Sequence, residues 1–191
     1  FYLLKNVNKA IREFNMIIDG DRVAVAVSGG KDSRSLLYLL HARQRAAAEK
    51  YHLTALHVEA EIAGYPRFHP VLEPWFHEMG VDYAFVPLEL PPDEPLPLEC
   101  FRCSWNRRKR LFEIADELGC NKVALGHHKD DIIETLFMNM CYAGEISTML
   151  PSQDFFKGLF TVIRPLAYVD EELIRRFARE QGFPAYINPC P

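Results

Sequence analysis

The sequence lacks any apolar run near the roughly 20 residues a membrane-spanning helix needs. Its N-terminal stretch also interrupts its leucines with Lys5, Lys9, Arg12 and Glu13. A membrane span or leader is therefore not expected, and a soluble, cytoplasmic protein with no membrane partner is. There is no basic excess either: 22 Lys and Arg stand against 26 Asp and Glu, a net charge of −4. That excludes a uniformly basic nucleic-acid binder and leaves room for a local basic face. No internal repeat or low-complexity tract divides the chain. Because it begins at Phe1 and stops one residue after Cys190, it is expected to be a portion of a longer product.

Cysteine is sparse and odd in number. Cys100, Cys103, Cys120, Cys141 and Cys190 occur in 191 residues, a length that builds a core without disulfide staples, so metal or redox use is the better reading. No second C-x-x-C or H-x-x-x-H is present to complete a closed zinc site of the usual four ligands. The phosphate-binding pattern G-x-x-x-x-G-K-[ST] and the dinucleotide pattern G-x-G-x-x-G are both missing.

What is present is a β–α alternation. Leu3, Leu4, Val7, Ile11, Phe14 and Ile18 predict an amphipathic helix over residues 1–19 that stops at Gly20. Val23–Val27 reads as a buried strand, "LTALHV" and "DYAFVPL" as the next two, with a short helix between them interrupted near Pro74. A proline-rich loop before Cys100 leads to the helix "RRKRLFEIADELG", the strand "KVALG", the helix "DDIIETLFMNMCYAG", the segment "TVIRPL" and a last helix, "EELIRRFAREQG". This predicts an α/β, Rossmann-like fold, a parallel sheet flanked by helices, as one domain over residues 20–191. Ligands in such sheets bind at the carboxyl ends of the strands.

Three segments carry chemistry. "SGGKDS", Ser28 to Ser33, falls in the first strand-to-helix turn. Gly29 and Gly30 let backbone amides approach an anion, the helix N-terminus favours negative charge, and Lys31 adds a full positive one. The bland alternative is a joining turn with Asp32 or Ser33 as its cap. In "CFRCSWNRRKR", the thiolates of Cys100 and Cys103 can share a metal or cluster, cycle as a disulfide, or form half a zinc site, and spacing alone does not choose. Cys190, in the irregular "NPCP" end, is the candidate third ligand, and three thiolates would leave one iron of a 4Fe-4S cluster open. Cys120 and Cys141 read as small core residues. Arg107, Arg108, Lys109 and Arg110, placed near a helix start, oppose its dipole. They read either as a solvated face paired with Glu113, Asp116 and Glu117 or as contacts to an RNA backbone, with Trp105 able to stack on a base.

The third segment is "GHHKDDIIET". Asp131-x-x-Glu134 reads as a capping box. Adjacent His127 and His128 would point to opposite faces of a strand, which speaks against zinc. Asp130 or Asp131 can hold magnesium, and Gly126 would allow close approach of a ribose.

The "SGGKDS" turn resembles that of the PP-loop ATP pyrophosphatases, and "CFRCSWNRRKR", "VALGHHKDDIIETLFMNM" and "VIRPLAY" are similar to the tRNA 2-thiocytidine synthetase family from about Asp21 onward. Lysidine synthetases share the turn and the G-H-H-x-D-D pattern without the cysteine pair. The resemblance implies an adenine-nucleotide α-hydrolase-like fold, with ATP and magnesium at Ser28, Gly29, Gly30, Lys31, Asp32 and Ser33 and further nucleotide contacts from His57, Gly126 and Arg164. It also implies a 4Fe-4S cluster on Cys100, Cys103 and a later cysteine, tRNA as substrate, a sulfur donor such as sulfide or a cysteine desulfurase product, and a homodimer. Lys31, Asp131 and Arg107 are the expected catalytic residues. Glu59 stands where the family shows an aspartate. The rival expectations are a lysidine-synthetase-like or small-molecule adenylating enzyme, or a nucleotide- and cluster-binding module without turnover.

Overall fold

The computed structural model describes residues 2–61 and 69–183. Its elements run α1 (Tyr2–Glu13), β1 (Arg22–Ala26), α2 (Lys31–Gln44), β2 (His52–Glu59), α3 (His69–Met79), β3 (Asp82–Pro87), α4 (Cys100–Glu117), β4 (Lys122–Ala124), α5 (Lys129–Met138), β5 (Ser152–Phe155), β6 (Phe160–Ile163) and α6 (Glu171–Glu180). The strands form one six-stranded sheet in the order β3-β2-β1-β4-β6-β5. Side chains of β1 alternate between two cores. Val23 and Val25 join Leu37, Leu40, Phe76 and Ile174 beneath α1, α2, α3 and α6, while Ala24 joins Leu56, Val123, Leu111 and Ile114 beneath α4. Burial on both faces is why β1 carries an uninterrupted apolar run. Leu36, Leu37 and Leu40 are fully buried, each worth about 1.5–3 kcal/mol relative to exposure.

Four local expectations change. α1 stops at Glu13, before Ile18. Asn15 takes φ 47°, Met16 N–H bonds the Ile11 carbonyl and Asn15 N–H that of Arg12, the paired bonds of a left-handed C-terminal cap. α3 runs unbroken through Pro74, because the missing N–H falls opposite Pro70 in the first helical turn, where little ladder is lost. The sheet also has an antiparallel edge: β5 pairs with β6 as a hairpin, and the polar "SQDF" gives no strand-like pattern. Cys120 is buried as expected, but Cys141 is exposed, carried on a π-helical turn, Asn139–Ala143, that buries no residue.

The chain reverses direction across the sheet between β1, which pairs with β2 on one side, and β4 on the other. The turn after β1 and the Gly126–His128 segment after β4 therefore open into one crevice, where ligands of such sheets bind. No helix among the described residues is long and apolar enough to cross a membrane.

Candidate functional site

Gly29 takes φ +95°, a value side chains resist, and this turns the chain from β1 into α2. The two serines then brace the turn from within. Ser33 Oγ accepts from Ser28 N–H at 3.1 Å and donates to the Gly30 carbonyl at 3.0 Å; the two hydroxyls lie 3.2 Å apart. Gly30 is the N-cap of α2 and no side chain caps it. The capping alternative for Asp32 and Ser33 is thereby overturned: Ser33 shapes the loop, and the first amides of α2 are left for an anion at the positive end of the helix dipole.

Lys31 lies 3.0 Å from Asp32 and 3.1 Å from Glu171, the first residue of α6. Burial pulls its pKa down, yet the two carboxylates outweigh this and raise it. Glu171 was not anticipated, and no sequence signal marks it. Gly126 packs against the same turn: a Cβ there would lie 3.0 Å from Ser33 N and 3.1 Å from Asp32 C. The close approach that requires glycine is to the chain itself.

The capping box at α5 is built from His128 and Asp131, three residues earlier than the expected Asp131–Glu134 pair. His128 N–H donates to Asp131 Oδ2 at 2.8 Å, and His128 Nδ1 accepts from Asp131 N–H at 3.4 Å. Its other ring nitrogen lies 3.8 Å from Asp32. Asp130 accepts the Glu171 N–H at 2.8 Å, tying the start of α6 to that of α5. His127 and His128 lie beyond β4 in irregular chain, and the described residues contain no group of three metal-ligating side chains.

His57 is buried below the turn, its Nδ1–H donating to the Val27 carbonyl at 2.6 Å. Burial drops its pKa to about 4, opposed by the carbonyl bond and assisted by the charges of Arg107, His69 and Arg34. It supports the turn as a neutral ring. Glu59, at the end of β2, faces His69 at 3.7 Å.

The cysteine pair opens α4, with Cys103 buried and Cys100 exposed. Two free sulfurs one helical turn apart fit as part of the ligand set of a metal–sulfur group; Cys190 lies outside the described residues. Glu94 of the proline-rich loop holds this end of α4, accepting from Arg102 Nε and Nη2 at 2.7 and 2.6 Å and from Asn106 at 3.3 Å. The basic run falls past the first turn of α4, so the expected opposition to its dipole does not arise. Its four members meet different surroundings. Lys109 and Arg110 pair with Glu113, and Arg110 also with Glu89 and Glu117. The Arg107 charge acts on His57. The charge of Arg108 acts on Arg164 and His127.

Arg164, buried after β6, donates to the Leu150 carbonyl. Burial, then Arg108, lowers its pKa; burial, then Arg164, lowers that of His127. Arg164 Nε and His127 Nδ1 are buried without a hydrogen-bond partner among the described residues. Orphaned atoms beside two guanidinium groups fit an anion.

No family model matches the chain. A curated tRNA-cytidine(32) 2-sulfurtransferase of Citrifermentans bemidjiense is 41% identical over 197 residues, covering 100% of this chain and 76% of that protein. The chain belongs to the tRNA-cytidine(32) 2-sulfurtransferase family. The family member from Delftia acidovorans is 42% identical over 196 residues, and the chain spans 60% of its length. Among solved structures, the U34-tRNA thiolase NcsA from Methanococcus maripaludis, with its 4Fe-4S cluster, matches 100% of the chain and 66% of its own at 23% identity and TM-score 0.79. A phosphoadenylyl-sulfate reductase from Candida auris matches at 10% identity and TM-score 0.59, covering 93% of this chain and 80% of its own. These two likenesses support the fold, the mostly parallel sheet with flanking helices expected from sequence.

Proposed function

We propose that this chain is the catalytic part of an ATP-dependent tRNA thiolation enzyme acting on cytidine, the substrate named for its relatives. The observation that carries the reading is the uncapped turn after β1, whose first α2 amides are left for an anion, in a chain 41% identical to a tRNA-cytidine(32) 2-sulfurtransferase; the helix bearing Cys100 and Cys103 packs on the same β1 and β2 through Leu111 and Ile114.

In the first step, the pyrimidine carbonyl oxygen attacks the α-phosphorus of ATP and pyrophosphate leaves. The α2 amides, the Ser28 and Ser33 hydroxyls and Lys31 stabilise the departing charge. Asp131 and Asp32 are the carboxylates at hand for magnesium. Arg107 is assigned a place between cluster and nucleotide, and Arg164 with His127 a place near the phosphates of the nucleotide. Sulfide then displaces AMP at the activated carbon. A 4Fe-4S cluster held by Cys100, Cys103 and Cys190 supplies, when bound, an iron lacking a protein ligand and able to present sulfur. Arg108, Lys109 and Arg110 contribute to tRNA binding, the sulfur originates from sulfide or a cysteine desulfurase, and the enzyme works as a cytoplasmic homodimer. The PP-loop domain is assigned to residues 20–191, preceded by the N-terminal segment that carries α1.

The test is product analysis. AMP and pyrophosphate formed only when tRNA is present support the proposal; ADP formation, or turnover indifferent to tRNA, overturns it.

A further inference from the structure

A cavity of about 510 Å³ lies between α4 and the β5–β6 hairpin, lined by Trp105, Arg108, Phe112, Phe155, Phe156 and Phe160 among others. We propose that it is a stacking pocket for an unpaired base of the RNA substrate, a neighbour of the one modified; this rests on the tRNA reading above. Its volume lies within the roughly 300–1,000 Å³ of small-ligand sites.

The pocket is built from aromatic faces. Phe112 lies 5.0 Å from Phe160 and 5.9 Å from Phe155 between ring centres, and Phe156 closes the group at 5.4 Å from Phe160. Two rings are left in solvent, Trp105 and Phe156. Phe156 and its neighbour Lys157 both take left-handed backbone, φ 50° and 60°, a conformation that hairpin turns use but that a bulky aromatic rarely adopts. The hairpin tip thus holds an aromatic ring outward at the cavity mouth. A core would bury it.

The charge distribution favours a nucleotide over another copy of the chain. Lys109, Glu113 and Asp116 also line the cavity; Lys109 pairs with Glu113 at 3.7 Å, and Asp116 leaves that side with one further carboxylate. Arg108 is different, since it lines the cavity and its charge acts on Arg164 and His127, whose buried nitrogens are orphaned. A base stacked on the rings brings its own phosphate to Arg108, a pairing that RNA provides and an apolar protein face does not. Trp105, Arg108 and Phe112 share one face of α4 at spacings of three and four, the same helix that carries the cysteine pair at its start.

The test measures tRNA and ATP affinity of the full chain and of Phe156→Ala, Phe156→Leu and Phe156→Tyr, with Trp105→Ala as a second probe. Phe156→Ala, Phe156→Leu and Trp105→Ala should each weaken tRNA binding roughly 5- to 100-fold, Phe156→Tyr should restore it, and ATP affinity should not move. Wild-type affinity in Phe156→Ala and Trp105→Ala overturns the pocket alone, and so does tight binding by Phe156→Leu, which retains apolar packing without a π-face. A change of oligomeric mass in Phe156→Ala would make the face an interface between copies. Absence of tRNA binding by the unaltered protein would remove the underlying reading, and the pocket with it.

Discussion

The ammonium of Lys31, at the first position of α2, lies 3.1 Å from the carboxylate of Glu171, the first residue of α6, 140 positions later in the chain. With Asp32 on its other side at 3.0 Å, Lys31 is held charged and directed across the mouth of the turn. A lysine that serves a departing pyrophosphate needs that restraint before the nucleotide arrives.

Lys31→Ala should lower the rate of tRNA-dependent pyrophosphate release about 100-fold or more, the usual effect of removing a charged group from a developing anion. Glu171→Gln should act more gently, changing the KM for ATP several-fold. Its melting temperature should hardly move, because a partly exposed ion pair contributes about 0–1 kcal/mol. Steady-state kinetics of both variants check this.

Gly126→Ala should fail in a way that no surface glycine would. The new methyl would meet the Ser33 nitrogen at 3.0 Å and the Asp32 carbonyl carbon at 3.1 Å, and backbone cannot rotate away as a side chain can. A cost of about 1–3 kcal/mol is expected, seen as a lower melting temperature together with weaker ATP binding by calorimetry.

Glu94→Ala should loosen the end of the cysteine helix. Arg102 and Asn106 both lose their shared acceptor, so iron retained per chain after anaerobic reconstitution should fall while ATP affinity is preserved. Glu94→Gln, which keeps one acceptor oxygen, should fall between.

His57 gives stability an acid dependence. Its ring protonates near 6.5 when unfolded and near 4 when folded, so between those values the unfolded chain binds the extra proton. The contribution is complete above 6.5 and is lost as pH falls toward 4, amounting to on the order of 3 kcal/mol. Denaturant midpoints across that window should decline less steeply in His57→Gln.

Local signals account for much of this. The strand–turn–helix of "SGGKDS" and the cysteine spacing were legible because each is contiguous and chemically distinctive. Glu171 and Glu94 were not, since their partners come close only when the sheet brings distant segments together. The basic run could not be divided from sequence for a related reason: four adjacent charges on a helix face in different directions, so the charge of Arg108 acts on Arg164 while Arg110 pairs with Glu113 and Glu117. The hairpin aromatics, Phe155, Phe156 and Phe160, carry no periodic pattern that would flag a cavity.

The most direct measurement is mass spectrometry of nucleosides from tRNA incubated anaerobically with the cluster-loaded protein, ATP and sulfide. A new thiolated cytidine, absent without ATP and absent with Lys31→Ala, is the predicted result. An unchanged nucleoside profile from protein with an intact cluster and bound ATP would contradict the account.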